Sequence, residues 1–252
     1  MQVINVQEVF DILLASQPGL YDEFIFTVKK YSDATTAYKL LGGCAVKFRI
    51  DGRTICLACD TGGLEMEDIN MLAKVYTGHC IPVYTMHAEK LPPEGNGYYV
   101  FAGKGTSYSD KRVTAVDRDS YATVAEFISD YKGEETGLPE DDAAVFAVYD
   151  GDVVIGAAVA VRLEEKLVSL DIFVSDECVE KGLDVCLVRS AMADYPDALC
   201  TIYAPSSDED GRGVDNACGA AERAGLRLAG TMFATDRHMS WDMRPDDIPI
   251  PR

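Results

Sequence analysis

Apolar residues at 6, 9, 10 and 13 recur at helical spacing, and Asn5 followed by Glu8 offers that helix (6–14) a capped start. A second helical face, Phe24, Val28 and Tyr31, predicts a helix over 20–31. The period then changes. In "CAVKFRIDGRTICLACD" the apolar residues Cys44, Val46, Phe48 and Ile50 alternate with Ala45, Lys47 and Arg49, and Asp51-Gly52 is a pair that favours positive φ, so the stretch reads as a β-hairpin. Helical spacing returns at Ile69, Leu72, Ala73 and Tyr76 (65–77), followed by short strands at 81–86 and 98–103 around the loop "KLPPEGNG".

The polar stretch "KGTSYSDK" (104–111) reads as a boundary between two α+β domains, 1–105 and 112–243. The second opens with the strand candidate "RVTAVDR". A helix capped by Asp119 follows, with Tyr121, Val124, Ala125, Ile128 and Tyr131 on one face. A loop (132–142) leads to a hairpin turning at Asp150-Gly151, then a strand at 166–174, a helix at 181–193 and a strand at 198–204. The loop "PSSDEDGRG", the small-residue helix "VDNACGAAERAG" and the closing strand "LRLAGTMFA" complete it before a proline-rich tail. Helix, loop and Asp-Gly hairpin thus occur twice. Tyr21 and Tyr31 recur as Tyr121 and Tyr131, and Asp51-Gly52 recurs as Asp150-Gly151, a pattern that fits either a degenerate copy of the second domain or the chance placement of two common Asp-Gly hairpins.

Charge narrows the partners. The chain of 252 residues carries a net −19, which disfavours nucleic acid and anionic membrane surfaces. The excess is uneven: residues 1–110 hold 13 acidic and 9 basic residues, whereas residues 111–252 hold 29 and 14. The second half is therefore either a solvated acidic surface or one suited to a basic substrate. No apolar run reaches the length of a transmembrane span, and "MQVINVQEVF" has neither the basic start nor the apolar core of a secretory signal. The eight cysteines lie mostly in apolar stretches and read as reduced, packed thiols, so the expected location is cytoplasmic.

Three stretches of the second half resemble the GCN5-related N-acetyltransferase (GNAT) superfamily. "VFAVYDGDVVIGAAVA" resembles the family's hairpin, with Gly156 in the strand after the turn. "LVSLDIFVSDECVEKGLDVCLV" resembles its central strand, acyl-CoA loop and helix. "NACGAAERAGLRLAG" is similar to its last helix. The resemblance covers about half of the chain, from residue 112 on. It implies a mixed α+β sheet with flanking helices, an acetyl-CoA donor and an amine acceptor from a small molecule or basic peptide. It also implies a central strand splayed from its neighbour to pair with pantetheine, at Phe173 and Val174. The loop that follows would turn its backbone N–H groups onto the pyrophosphate at a helix N-terminus.

The family's loop pattern, Arg/Gln-x-x-Gly-x-Gly/Ala, falls on Val179, Gly182 and Asp184, with Lys181 and Leu183 between. Only Gly182 matches. Asp184 places a carboxylate where the pattern has glycine or alanine, and Lys181 compensates in part. In the last helix, Ala221 stands where the family often has tyrosine, and Asn216 lies off the asparagine position. Two function classes therefore stand: an N-acyltransferase, and a GNAT-shaped binding or regulatory module without catalysis.

Amine transfer needs a base and an acid. Asp171 and Tyr203, on neighbouring predicted strands, are the candidates, though Asp171 also reads as a solvent-facing residue and Tyr203 as a packed aromatic. "CLAC" (56–59), with "GHC" (78–80) and His87, raises a third reading as a metal or redox site. Positions 56 and 59 of one strand point to opposite faces, and the stretch precedes no helix that would activate a thiol, so no metal is expected. His79, His87 and His238 form no triad visible in the sequence, and neither "GGCAVK" nor "GKGTSYSDK" has the spacing of a nucleotide phosphate loop.

Overall fold

The computed structural model describes residues 1–16, 19–30, 35–50, 53–76, 80–85, 97–133, 135–137, 143–206 and 212–236. Tyr31, the Asp51-Gly52 turn, His79, His87, His238 and the proline-rich tail lie outside them. Contacts divide the chain into two compact units. Unit 1 is Met1–Tyr99 together with the chain from Ala229 onward, and unit 2 is Val100–Leu228.

Unit 1 runs β1 (Gln2–Ile4), α1 (Val6–Ser16), α2 (Asp22–Lys30), β2 (Thr36–Lys39), β3 (Gly43–Ile50), β4 (Arg53–Asp60), α3 (Met66–Val75) and β5 (Cys80–Thr85). The helical faces read from the sequence are the buried ones: Val9, Phe10 and Leu13 on α1, Phe24 and Val28 on α2. The Asn5 side chain caps α1 by accepting the Gln7 N–H (2.8 Å). The β3–β4 register pairs Ile50 with Arg53. Strand order is β1-β2-β3-β4-β5, antiparallel except where β5 returns parallel to β4 after α3.

The sixth strand of unit 1, β12 (Arg227–Asp236), comes from the far end of the chain. It pairs antiparallel with β5, from Thr231↔Thr85 to Asp236↔Cys80. Alternation in "LRLAGTMFA" identifies a strand but not its partner. The division by contacts therefore differs from the contiguous 1–105 and 112–243 read from the sequence: from Ala229 on, the closing strand belongs with the N-terminal elements.

Unit 2 comprises β6 (Gly97–Lys104, at the boundary), β7 (Val113–Ala115), α4 (Tyr121–Lys132), β8 (Ala144–Asp150), β9 (Val153–Glu164), β10 (Leu167–Val174), α5 (Asp176–Glu180), α6 (Asp184–Ala193), β11 (Leu199–Pro205) and α7 (Arg212–Ala224). Its strand order is β6-β11-β10-β9-β8-β7. A single 3-10 turn, Arg118–Ser120, leads into α4, so Asp119 lies within that turn rather than capping the helix. The helix buries Tyr121, Val124, Ala125 and Ile128, whereas Tyr131, expected on the same face, lies in the last turn and is exposed, and the helix stops at Gly133 in the left-handed region (φ 69°). Tyr121, Val124 and Ile128 pack with Val145, Ala147, Val154, Ala157 and Phe173 on one face of the sheet. Helices α5, α6 and α7 lie against the other face. Among the described residues, no helix is long and apolar enough to cross a membrane.

The close approach of α5 to the sheet rests on Gly156. A Cβ there would stand 2.8 Å from Cys178 Sγ and 3.4 Å from Leu187 Cδ2. Gly156→Val is expected to destabilise the protein by about 1–3 kcal/mol, the usual cost of overpacking, read as a lowered midpoint of urea unfolding.

Candidate functional site

Strand β10 is paired with β9 along its whole length, from Leu167↔Glu164 to Val174↔Gly156. On its other edge, the parallel pairing with β11 runs only from Leu167↔Leu199 to Leu170↔Ile202. The two strands part there, so Asp171–Val174 keep an edge that β11 does not fill. The next residue on each strand is Asp171 and Tyr203, which brings the two sequence candidates to the mouth of the parting.

Residues paired in register share a face, and alternate residues of one strand share a face. Asp171 and Tyr203 therefore both lie on the α4 face with Phe173, whose ring meets Tyr131 edge-on (centroids 5.7 Å apart) under the Lys132 ammonium (5.3 Å). The Asp171 side chain reaches solvent, yet the protein around it opposes its ionisation and raises its pKa, with Lys132 pulling the other way. Tyr203 is half-buried. Val174 faces the opposite side and is fully buried.

The link from β10 to α6 contains a helix where the sequence reading has a loop. Ser175 caps α5: its Oγ accepts the Cys178 N–H (3.2 Å) and donates to the Ile155 carbonyl of β9 (2.7 Å). "SDEC" carried that signal, a capping serine before two acidic residues. The main-chain donors around the predicted cradle are engaged within the chain. Val179 N–H donates to the Ser175 carbonyl (3.2 Å), Lys181 N–H to Glu177 (3.1 Å), Gly182 N–H to Val179 (2.8 Å) and Leu183 N–H to Cys178 (3.0 Å). Gly182 takes the left-handed φ of 64° that lets the chain turn from α5 into α6. The Lys181 ammonium is bound by Asp150 (2.9 Å) and Glu177 (3.0 Å).

Helix rules leave the N–H groups at the start of α6, Asp184, Val185 and Cys186, without intrahelical acceptors, whereas Leu187 N–H reaches the Leu183 carbonyl (2.9 Å). Asp184 stands first in that helix. Its carboxylate is buried and paired with Arg223 of α7. The loop and the last helix are thus tied through Asp184, where the loop departs from the family pattern, a link that no local spacing reveals because the residues lie 39 apart. Asn216 Nδ2 adds a second tie, donating to Asp176 of α5 (3.0 Å). Further guanidinium groups surround α6. Arg112 is bidentate on Asp110 (2.9 and 2.6 Å) and reaches Cys186 Sγ (3.3 Å), and Arg189 donates to the last carbonyls of α7 (3.1 and 3.3 Å). Tyr108 also donates to Cys186 Sγ (3.3 Å), a bond that pushes its pKa up to about 12.

Elsewhere, Cys56 and Cys59 are each fully buried, and Cys59 stands opposite Cys44 in the β3–β4 ladder. Among the described residues, no group of three or more His, Cys, Asp or Glu side chains is arranged to hold a metal.

No family model matches the sequence, and no curated protein matches it either. Solved structures do. A GCN5-related N-acetyltransferase from Sphaerobacter thermophilus is similar at a TM-score of 0.51 and 10% identity, over 88% of this chain and 87% of that one. A Drosophila protein is similar at a TM-score of 0.53 and 8% identity, over 93% of this chain and 97% of that one. At such identities the likeness concerns the fold alone. The protein has a GNAT-like α+β fold with a mixed sheet and flanking helices, and the likeness takes in both units, well beyond the stretch that carried the resemblance in sequence.

The raised pKa of Asp171 has a consequence for stability. The folded state holds the Asp171 proton more tightly than the unfolded chain, whose carboxyl titrates near pH 3.9. Its contribution to stability is therefore fully present below that value and falls as pH rises through the higher folded one. Asp171→Asn is expected to raise the thermal midpoint at neutral pH and to leave it unchanged near pH 3, measured by scanning calorimetry.

Proposed function

We propose that the protein is an acyl-CoA-dependent N-acyltransferase, with its donor site in unit 2 and an amine of a small molecule or basic peptide as acceptor. The observation that carries this reading is the parting of β10 from β11 after Leu170↔Ile202. It leaves main-chain donors and acceptors of Asp171–Val174 for the amides of a pantetheine arm. Acetyl-CoA, when bound, supplies a thioester carbonyl open to attack by an amine.

The chain's own residues then have these tasks. Phe173 and Val174 hold the arm along the free edge. The outward N–H groups at the start of α6 face the pyrophosphate. Asp171, whose raised pKa makes its ionised form a stronger base, takes a proton from the acceptor's ammonium so that the free amine attacks the thioester carbonyl, and Tyr203, across the parting on the same face, donates one to the departing thiolate. The acid excess of residues 111–252 suits a cationic acceptor. Cys44, Cys56, Cys59, Cys178, Cys186 and Cys200 are buried, in keeping with packed thiols in a cytosolic setting.

Three specific observations favour the second reading, a GNAT-shaped binding module without catalysis. The N–H groups of 179, 181, 182 and 183 donate within the chain, Lys181 is held by two carboxylates, and the Asp184–Arg223 pair occupies the start of α6. Side chains that assist phosphate binding in the family pattern are absent or opposite in charge here.

Calorimetric titration with acetyl-CoA, followed by transfer assays on a panel of amines, separates the two. Binding with turnover supports the enzyme, and Asp171→Asn is then expected to lower kcat by about 100-fold or more with little change in donor affinity. Binding without turnover supports the module. No heat at millimolar donor retires the donor site altogether. Asp184→Gly removes a carboxylate whose repulsion of an anion about 4 Å away costs about 1–4 kcal/mol, so it is expected to tighten coenzyme A binding by about tenfold.

A further inference from the structure

Unit 1 repeats the local order of the donor site: a central strand (β4), a turn (61–65), a helix (α3) and a parallel strand (β5). Its geometry at the turn is different. Parallel pairing covers Ala58↔Val83, Cys59↔Tyr84 and Asp60↔Thr85, so β4 and β5 are joined at the end from which the turn leaves, where β10 and β11 have already parted.

The turn itself converges on one oxygen. The N–H groups of Gly62 (3.1 Å), Gly63 (2.8 Å) and Leu64 (3.0 Å) all donate to Asp60 Oδ1, and the Thr85 hydroxyl donates to Oδ2 (2.9 Å). Asp60 is 1% exposed. Gly62 and Gly63 adopt φ of 154° and 132°, values that L side chains rarely adopt, and this is what aims three successive amides at one point. The arrangement is backed from behind. Asp68, fully buried, accepts the N–H groups of Leu41 (2.9 Å) and Gly42 (3.2 Å), and a Cβ on Gly42 would stand 2.0 Å from the Gly63 carbonyl.

We infer that the turn at 61–64 is an anion cradle whose anion is the protein's own Asp60 carboxylate, so that this turn, the counterpart in unit 1 of the donor-site loop, takes no phosphate group of an acyl-CoA. Three main-chain donors and a hydroxyl saturate the carboxylate, and burial leaves no water to receive it if a phosphate displaced it. A phosphate arriving beside it would bring a second anion into a site built for one. The inference stands whether or not unit 2 transfers an acyl group.

The test uses the full chain, labelled at backbone nitrogen, with inorganic pyrophosphate as probe. In Asp60→Ala, pyrophosphate is expected to shift the Gly62, Gly63 and Leu64 amide resonances and to raise the thermal midpoint saturably, at concentrations at least about tenfold below any that affect the wild type. A folded variant in which those resonances ignore pyrophosphate overturns the inference. If the variant folds neither with nor without pyrophosphate, the wild type decides through titration with coenzyme A. Stationary amides at 62–64 support the inference, and a saturable shift there overturns it. The Asp184, Val185 and Cys186 amides report on unit 2 in the same titration, so silence there counts against the acyltransferase reading and leaves the conclusion about unit 1 untouched.

Discussion

The organisation of unit 2 depends on how the hydrogen-bonding capacity of one strand is shared. Strand β10 has two edges. One is filled by β9 throughout, and the other is shared with β11 for four residues and then released. A main-chain edge inside a sheet is costly to leave without partners, because peptide groups demand them. Ser175, anchored to β9 through its hydroxyl, turns the chain into α5 just beyond that edge, and Gly182 turns it again into α6. The proposed pantetheine edge rests on that arrangement and not on any one side chain.

Electrostatics pull against it. A buried carboxylate at the start of α6 gains from the helix dipole and from Arg223, and losing the arginine would leave an uncompensated charge. The pair therefore stabilises the junction of α6 and α7 at the place where an external anion would otherwise profit from the same dipole. In unit 1 the competition is already decided, since Asp60 takes up its turn's donors. The two units show one backbone solution, a turn presenting N–H groups after a central strand, under different degrees of internal neutralisation.

Much of this was legible in the sequence because periodicity and turn chemistry act locally. The buried faces of α1, α2 and α4, both hairpins and the order of elements in the second half follow from spacing alone. Asp171 and Tyr203 were readable as a pair only up to their strands. That they share a face at the parting depends on the parallel register of β10 and β11. Helix α5 was readable from Ser175 and its acidic neighbours but is a single short turn. "CDTGG" likewise held an aspartate ahead of two glycines, the local signature of a side chain that folds back on its own backbone. The Arg223–Asp184 tie and the β12–β5 ladder were not readable. Each joins residues far apart in the chain, and nothing in their immediate neighbours names the partner.

That last ladder has a bearing on how the molecule comes into being. Thr231 of β12 bonds to Thr85, a separation of 146 residues, so the N-terminal unit lacks this strand until the whole of unit 2 and β12 itself have left the ribosome. The elements of unit 2, contiguous in the chain, can assemble while β5 still waits with an open edge. The half that is made first is the half that is finished last, and its exposed strand is the place where a nascent chain is most vulnerable to pairing with a neighbour.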